Sequence, residues 1–246
     1  MADAARTVRL AAVADVHLGR ESRGLLSREL IGIDERADIL LVAGDVTRVG
    51  DPAEAEVFAE EVADVGLPVV AVLGNHDYHS DQQDLVAKHL EDGGVVVLEQ
   101  DSILVEVDNG TVGIAGAKGF GGGFRDACGS DFGEPEMKAF VRHSEAIATA
   151  FGEQLRSLDA ANARVALLHY SPIAATLAGE KPEIFAFLGS YFLEDAIDSA
   201  GADIAFHGHA HAGADTGHTA GGVPVHNVAH PVIRAAYKVF EVPLRR

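Results

Sequence analysis

Seven side chains scattered through the sequence are of the kinds that hold divalent first-row metals: Asp15, His17, Asp45, Asn75, His169, His209 and His211. Carboxylate oxygen, carboxamide oxygen and imidazole nitrogen all suit such ions, and no thiolate is among them, which speaks against selection of a soft metal. Seven donors are too many for one tetrahedral centre. They suit two cations if one carboxylate is shared, and such a pair can orient a substrate and activate water. Two more groups follow Asn75 in "VLGNHDYHS" (72–80). His76 can protonate a leaving group, and Asp77 can accept from the His76 ring and fix its tautomer. Each fragment alone has an ordinary explanation. Asp-x-His is a polar strand end, Gly-Asp a turn dipeptide, Asn-His-Asp a turn with Asp77 capping the next helix, and His-Gly-His-Ala-His a surface loop.

All five fragments fall in one kind of place. The apolar runs 8–14, 38–44, 67–74, 164–169 and 202–208 each read as a strand buried on both faces, and each ends in Asp, Asn or His. In α/β sheets, ligand sites form at the carboxyl ends of strands, so residues about 200 positions apart can converge there. Residues 94–117 read as three consecutive strands with a tight turn at Asp108-Asn109-Gly110. Helices are expected over 51–66, with Asp51 as N-cap and Pro52 at the first position, and over 80–94, where Ser80-x-x-Gln83 has the form of a capping box. Two further helical stretches span 134–161 and 182–201, the latter as one or two helices. Strand–helix alternation predicts an α/β fold, and the hairpin region adds mixed pairing.

The chain has 246 residues, 48% of them hydrophobic, enough for one large domain over 1–246. No linker-like tract and no repeat of solenoid length interrupts it. The formal net charge of −19 disfavours nucleic acid and anionic membranes as partners. Cys128 is the only cysteine, so no internal disulfide forms. The N-terminus "MADAARTVRL" has no signal-like apolar core, and no run approaches the roughly 20 apolar residues that span a bilayer. The expected location is the cytoplasm.

In order and completeness the motifs resemble the calcineurin-like metallophosphoesterases: Asp15-Val16-His17, Gly44-Asp45, Gly74-Asn75-His76-Asp77, His169 and Gly208-His209-Ala210-His211. The resemblance implies a four-layer α/β/β/α sandwich of two mixed sheets flanked by helices. It implies that Asp15, His17, Asp45 and His211 hold one metal, that Asp45, Asn75, His169 and His209 hold the other, and that Asp45 bridges. The ions are drawn from Mn, Fe, Zn, Co and Ni, with Mn or Fe favoured. The implied reaction is hydrolysis of phosphomono- or phosphodiesters by a hydroxide held between the metals, with His76 and Asp77 catalytic. His207 departs from the usual pattern and is expected as a buried histidine orienting a ligand; His226 and His230 are further candidates for the neighbourhood.

Small soluble esters of nucleotide or cyclic nucleotide type are favoured as substrates. "GAKGFGGGFRDACG" (116–129) is expected as a mobile loop whose amides approach phosphate, with Phe120, Phe124 and Arg125 touching substrate; Arg20 and Arg48 are candidates to assist. A non-catalytic binding or scaffold protein on the same fold, and another metal-dependent hydrolase such as an amidohydrolase, remain as alternatives. Oligomeric state is not legible.

Overall fold

A computed structural model describes residues 6–245. Residues 1–5, the start of the stretch inspected for a targeting signal, lie outside it. In chain order the strands are β1 (Thr7–Val13), β2 (Ile39–Ala43), β3 (Val69–Val72), β4 (Val96–Val97), β5 (Asp101–Val107), β6 (Gly110–Ala117), β7 (Gly123–Phe124), β8 (Ala127–Cys128), β9 (Ala163–Leu168), β10 (Ile204–His207), β11 (Thr216–His218), β12 (Pro224–Asn227) and β13 (Lys238–Pro243). The α-helices are α1 (Leu26–Glu29), α2 (Pro52–Val62), α3 (Gln83–Asp92), α4 (Pro135–Ser157), α5 (Phe185–Leu188), α6 (Tyr191–Ala200) and α7 (His230–Ile233).

Two large sheets carry the fold. The first has the order β13-β1-β2-β3-β4 and the second β11-β12-β10-β9-β6-β5. Their interior strands are parallel, and antiparallel strands close the edges: β13 against β1, β11 against β12 and β5 against β6. Both sheets are therefore mixed. Alternate residues of each strand decide the layers. Leu10, Ala12, Leu41 and Val72 of the first sheet meet Ile114, Val165, Leu167 and Phe206 of the second in a central apolar seam. The opposite face of the first sheet packs Val42 and Ala71 on Phe58 of α2 and Leu90 of α3. The opposite face of the second packs Ala166 and Ala205 on Phe151 of α4 and Ile197 of α6. Apolar on both faces, the runs build the expected four layers.

The three consecutive strands expected over 94–117 form, with the tight turn between the second and third, but they divide between the sheets. β4 joins the first sheet beside β3, and β5 and β6 form a hairpin of the second, Val107 opposite Gly110. The chain thus passes between sheets within 98–100. The expected capping box is corrected: α3 starts from Gln82 with no side-chain cap, and the Ser80 hydroxyl donates to the Val49 carbonyl instead. At α2 the expectation holds, since Asp51 accepts from the Ala53 N–H and Pro52 opens the helix. Residues 182–201 divide at Gly189 into α5 and α6. Among the described residues, no helix is long and apolar enough to cross a membrane.

Phe206 is fully buried between the sheets, its ring 4.9 Å from that of Phe240. Phe206→Ala is expected to destabilise the protein by about 3–5 kcal/mol. Chemical denaturation would read this as a lower midpoint at unchanged slope.

Candidate metal centre

The carboxyl ends of β1, β2 and β3 in one sheet and of β9 and β10 in the other reach a common rim, and all seven donors lie on the segments just beyond them. The turns there are tight. Asp15, His17, Asp45 and His209 have φ of 57°, 45°, 52° and 67°, half of the eight non-glycine residues with positive φ among those described. Left-handed backbone at a residue with a Cβ costs about 1–3 kcal/mol and persists where surroundings enforce it. The glycines of the motifs permit close approach. A Cβ on Gly74 would overlap the Asp45 carboxylate, and one on Gly208 would overlap that of Asp15.

Two donor groups result. Asp15, His17, Asp45 and His211 each place one ligand atom within 4.8 Å of the others, and so do Asp45, His169 and His209. Asp45 belongs to both. The Asn75 carboxamide oxygen joins the second group at 2.9 Å from His169 Nε2. In the first group, His17 Nε2 lies 3.9 Å from Asp15 and 3.8 Å from Asp45, while His211 Nε2 is 2.9 Å from Asp15. In the second, His169 Nε2 is 3.4 Å from Asp45.

Backbone carbonyls choose the tautomers, because a carbonyl only accepts. His169 Nδ1 donates to the Ala43 carbonyl at 2.9 Å, which leaves Nε2 facing Asn75 and Asp45. His209 Nε2 donates to the Phe187 carbonyl at 3.2 Å, which leaves Nδ1 as the ligating nitrogen. Burial pushes the His209 ring down to about 3 and lowers His17 as well, so both are neutral at neutral pH, the ligating form. Burial works against the Asp15 charge, but His211, His169 and the His209 N–H together hold its carboxyl below the usual range. The His211 hydrogen bond to Asp15 raises the imidazole in turn.

Asp15 and Asp45 are 2% and 1% exposed, and among the described residues their ion-pair partners are histidines, never lysine or arginine. Two buried carboxylates without a fixed counter-charge are costly. The donor set fits a pair of divalent cations on that ground.

Asp77 is not where the expectation put it. It is fully buried and accepts from the Val46 and Thr47 N–H groups, the Thr47 hydroxyl and the Gly74 N–H, between 2.6 and 3.3 Å. Burial and the nearby Asp45 charge push its carboxyl up, and those donors pull it back. Its work is to join the Asp45 and Asn75 loops; it neither orients His76 nor caps α3. The His76 ring is oriented by a carbonyl instead: Nδ1 donates to Arg48 O at 2.7 Å. Nε2 is left 3.9 Å from Asp45, with the His17 ring 4.4 Å away.

Other candidates have other partners. His207 is buried, its Nε2 2.8 Å from the Thr176 hydroxyl, and burial lowers it to about 4. It braces the 171–176 turn and contacts no ligand side chain. His226 stacks on Phe240 at 4.5 Å, and His230 lines a cleft with Leu25, Leu26 and Arg234. Arg20 pairs with Asp51 and Arg48 with Glu21. Arg125 pairs with Asp195 over the Tyr191 ring. Phe124 is buried with Leu177, Leu188 and Ala210, and Phe120 lies on Phe140 and His143. In the glycine loop, Gly122 and Gly123 donate to the Ala186 and Gly189 carbonyls, which fastens the segment bearing Phe187 O.

Sequence inspection missed Phe187, which acts through its backbone and leaves no side-chain signal, and Lys118. Lys118 follows the apolar end of β6, so the rule that found the other five strand ends reaches it. Asp77→Asn turns an amide toward four donors and is expected to cost about 2–3 kcal/mol. Its melting temperature falls even with saturating Mn²⁺; a fall in turnover at unchanged stability would contradict the bracing role.

None of the curated proteins searched matches the chain. Solved structures do. A phosphopantetheinyl hydrolase from Mycobacterium tuberculosis aligns with TM-score 0.67 at 17% identity, over 94% of this chain and 95% of that one. Protein TT1561 of Thermus thermophilus aligns with TM-score 0.62 at 17% identity, over 98% of this chain and 100% of that one. A putative 5'-nucleotidase from Staphylococcus aureus aligns with TM-score 0.58 at 14% identity, over 98% of this chain but 55% of its own. At these identities the likeness is one of fold. The profile of the calcineurin-like phosphoesterase family matches residues 8–213. With that match and the paired His/Asp donor groups, the chain belongs to the calcineurin-like phosphoesterases and is a metal-dependent phosphoester hydrolase with a dinuclear site.

Proposed function

We propose that the protein hydrolyses small soluble phosphate esters, of nucleotide or cyclic nucleotide type, with Asp15, His17, Asp45 and His211 holding one cation and Asp45, Asn75, His169 and His209 the other. The observation that carries this reading is the shared Asp45, 1% exposed and common to both donor groups. Two cations bound there supply positive charge for the ester oxygens and make water acidic enough to deprotonate near neutral pH. Mn or Fe suits the mixed oxygen and nitrogen donors, as Zn, Co and Ni also do.

The protein's own part is positioning and proton supply. The His76 N–H donates to Asp45 Oδ1 at 2.8 Å, so the peptide that carries the acid is tied to the shared carboxylate. With Nδ1 on the Arg48 carbonyl, a second proton on the ring sits at Nε2, toward the rim. Nε2–H can then pass to the ester oxygen as its bond to phosphorus breaks. Such assistance is worth about 10² to 10⁴ in rate.

Turnover of an aryl phosphodiester or monoester is expected with added Mn²⁺ and lost with a chelator. Asp45→Ala should empty both metal positions together, read as metal content by mass spectrometry. Loss of one ion only, or retained turnover, would overturn the shared role. His76→Asn should lower kcat about 10²- to 10⁴-fold on esters with alkoxide leaving groups, and less for p-nitrophenolate, which leaves without a proton. A full complement of metal with no turnover on nucleotides, cyclic nucleotides and phosphopantetheinyl esters would favour a binding role. Cleavage of amides alone would favour another hydrolase.

A further inference from the structure

Lys118 is the one lysine or arginine among the described residues that is buried, at 8% exposure. It makes no ion pair within 4.0 Å among those residues. Its single hydrogen bond is a long one, 3.4 Å to the Gly119 carbonyl. Glu99, which accepts from the Tyr78 hydroxyl at 3.1 Å, and Asp45 are the acids whose charges favour the ammonium against burial, and neither reaches ion-pair distance of it. A buried charge without a partner is expensive, and such a group is retained where something else meets it.

Its place says what. Lys118 directly follows β6, which pairs with β9, and its carbonyl accepts the N–H groups of His169 and Tyr170. The ammonium lies over three rings: Tyr78 at 4.7 Å, Phe120 at 5.2 Å and Tyr170 at 5.4 Å. Tyr170 in turn stacks on His209 at 4.3 Å, and Tyr78 follows His76 by two residues. The cation therefore borders the His169–His209 side of the centre. The rings narrow where it can point, and a low-dielectric wall strengthens its field.

We infer that Lys118 receives a second anionic group of the substrate, a carboxylate or further phosphate carried next to the scissile phosphate. This rests on the phosphoesterase reading above and names the substrate class within it: esters bearing two negative groups. Lys118 is a specificity-determining residue and takes no part in bond making.

The test compares competitive inhibitors of aryl phosphodiester hydrolysis by the Mn²⁺-loaded protein. The probes are inorganic phosphate, phosphoglycolate, which adds a carboxylate, and ethylene glycol bisphosphate, which adds a phosphate. One or both doubly anionic probes should bind at least about tenfold more tightly than phosphate, and which one does so identifies the second group. Lys118→Met should collapse that ratio toward one, and Lys118→Arg should keep part of it. No preference in the wild type, or a ratio that survives Lys118→Met, would overturn the inference. So would equal weakening of all three probes, the mark of a merely structural role. If Lys118→Met does not fold, the wild-type ratio and Lys118→Arg decide. If no ester is hydrolysed, the phosphoesterase reading fails separately, and calorimetric titration of the same probes still reads the subsite.

Discussion

Two carboxylates buried at the meeting line of two sheets are the constraint on which the structure turns. Among the described residues, neither Asp15 nor Asp45 forms an ion pair with arginine or lysine. A fold that removes such groups from water must return the lost solvation in another form. The proposed form is a pair of cations, and His169 and His209, their tautomers fixed from behind by backbone carbonyls, keep lone pairs free beside Asp45 to hold one of them. Each proposed ion takes ligands from both sheets: His211 completes a set otherwise from the first sheet, and His169 and His209 complete the other.

The rest of the rim serves that convergence. Left-handed backbone at four donors and close-approach glycines at Gly74 and Gly208 let carboxylate, loop and neighbouring strand occupy nearly the same space. Asp77 gathers four donors to lock the Asp45 and Asn75 loops together. The glycine loop after β6 holds α5 through backbone bonds, and α5 offers a carbonyl to His209. Polar groups that look like chemistry in the sequence are, in several cases, the bracing of that chemistry.

The donor residues were legible because buried strands are written as apolar runs and a polar residue at the end of such a run stands out. Strand–helix alternation made a mixed α/β fold legible, whereas the four layers were implied only by the family resemblance. What stayed hidden has a common cause. The roles of the Ala43, Arg48 and Phe187 carbonyls belong to backbone that any residue could supply. Asp77 was misassigned because adjacency to His76 suggested contact, whereas its carboxylate binds Val46, Thr47 and Gly74 and the His76 ring binds the Arg48 carbonyl. Arg20 was chosen for its place just after a metal motif, and Arg125 and Phe124 for theirs in the glycine loop; each has a partner that sequence distance concealed: Asp51, Asp195, and the Leu177–Leu188 cluster. β4 could not be separated from β5 and β6, because a short apolar run does not declare its sheet.

β13 has a consequence for how the molecule comes into being. It pairs with β1 from Thr7 against Pro243 to Ala12 against Lys238, the two ends of the chain side by side. Until Lys238–Pro243 has been synthesised, the strand that leads to Asp15 and His17 is an open edge, able to add a foreign strand. Nearly every other element is made before that edge closes. Folding on the ribosome therefore cannot finish the first sheet early, and the nascent chain is most exposed to misassociation at the strand its metal chemistry needs.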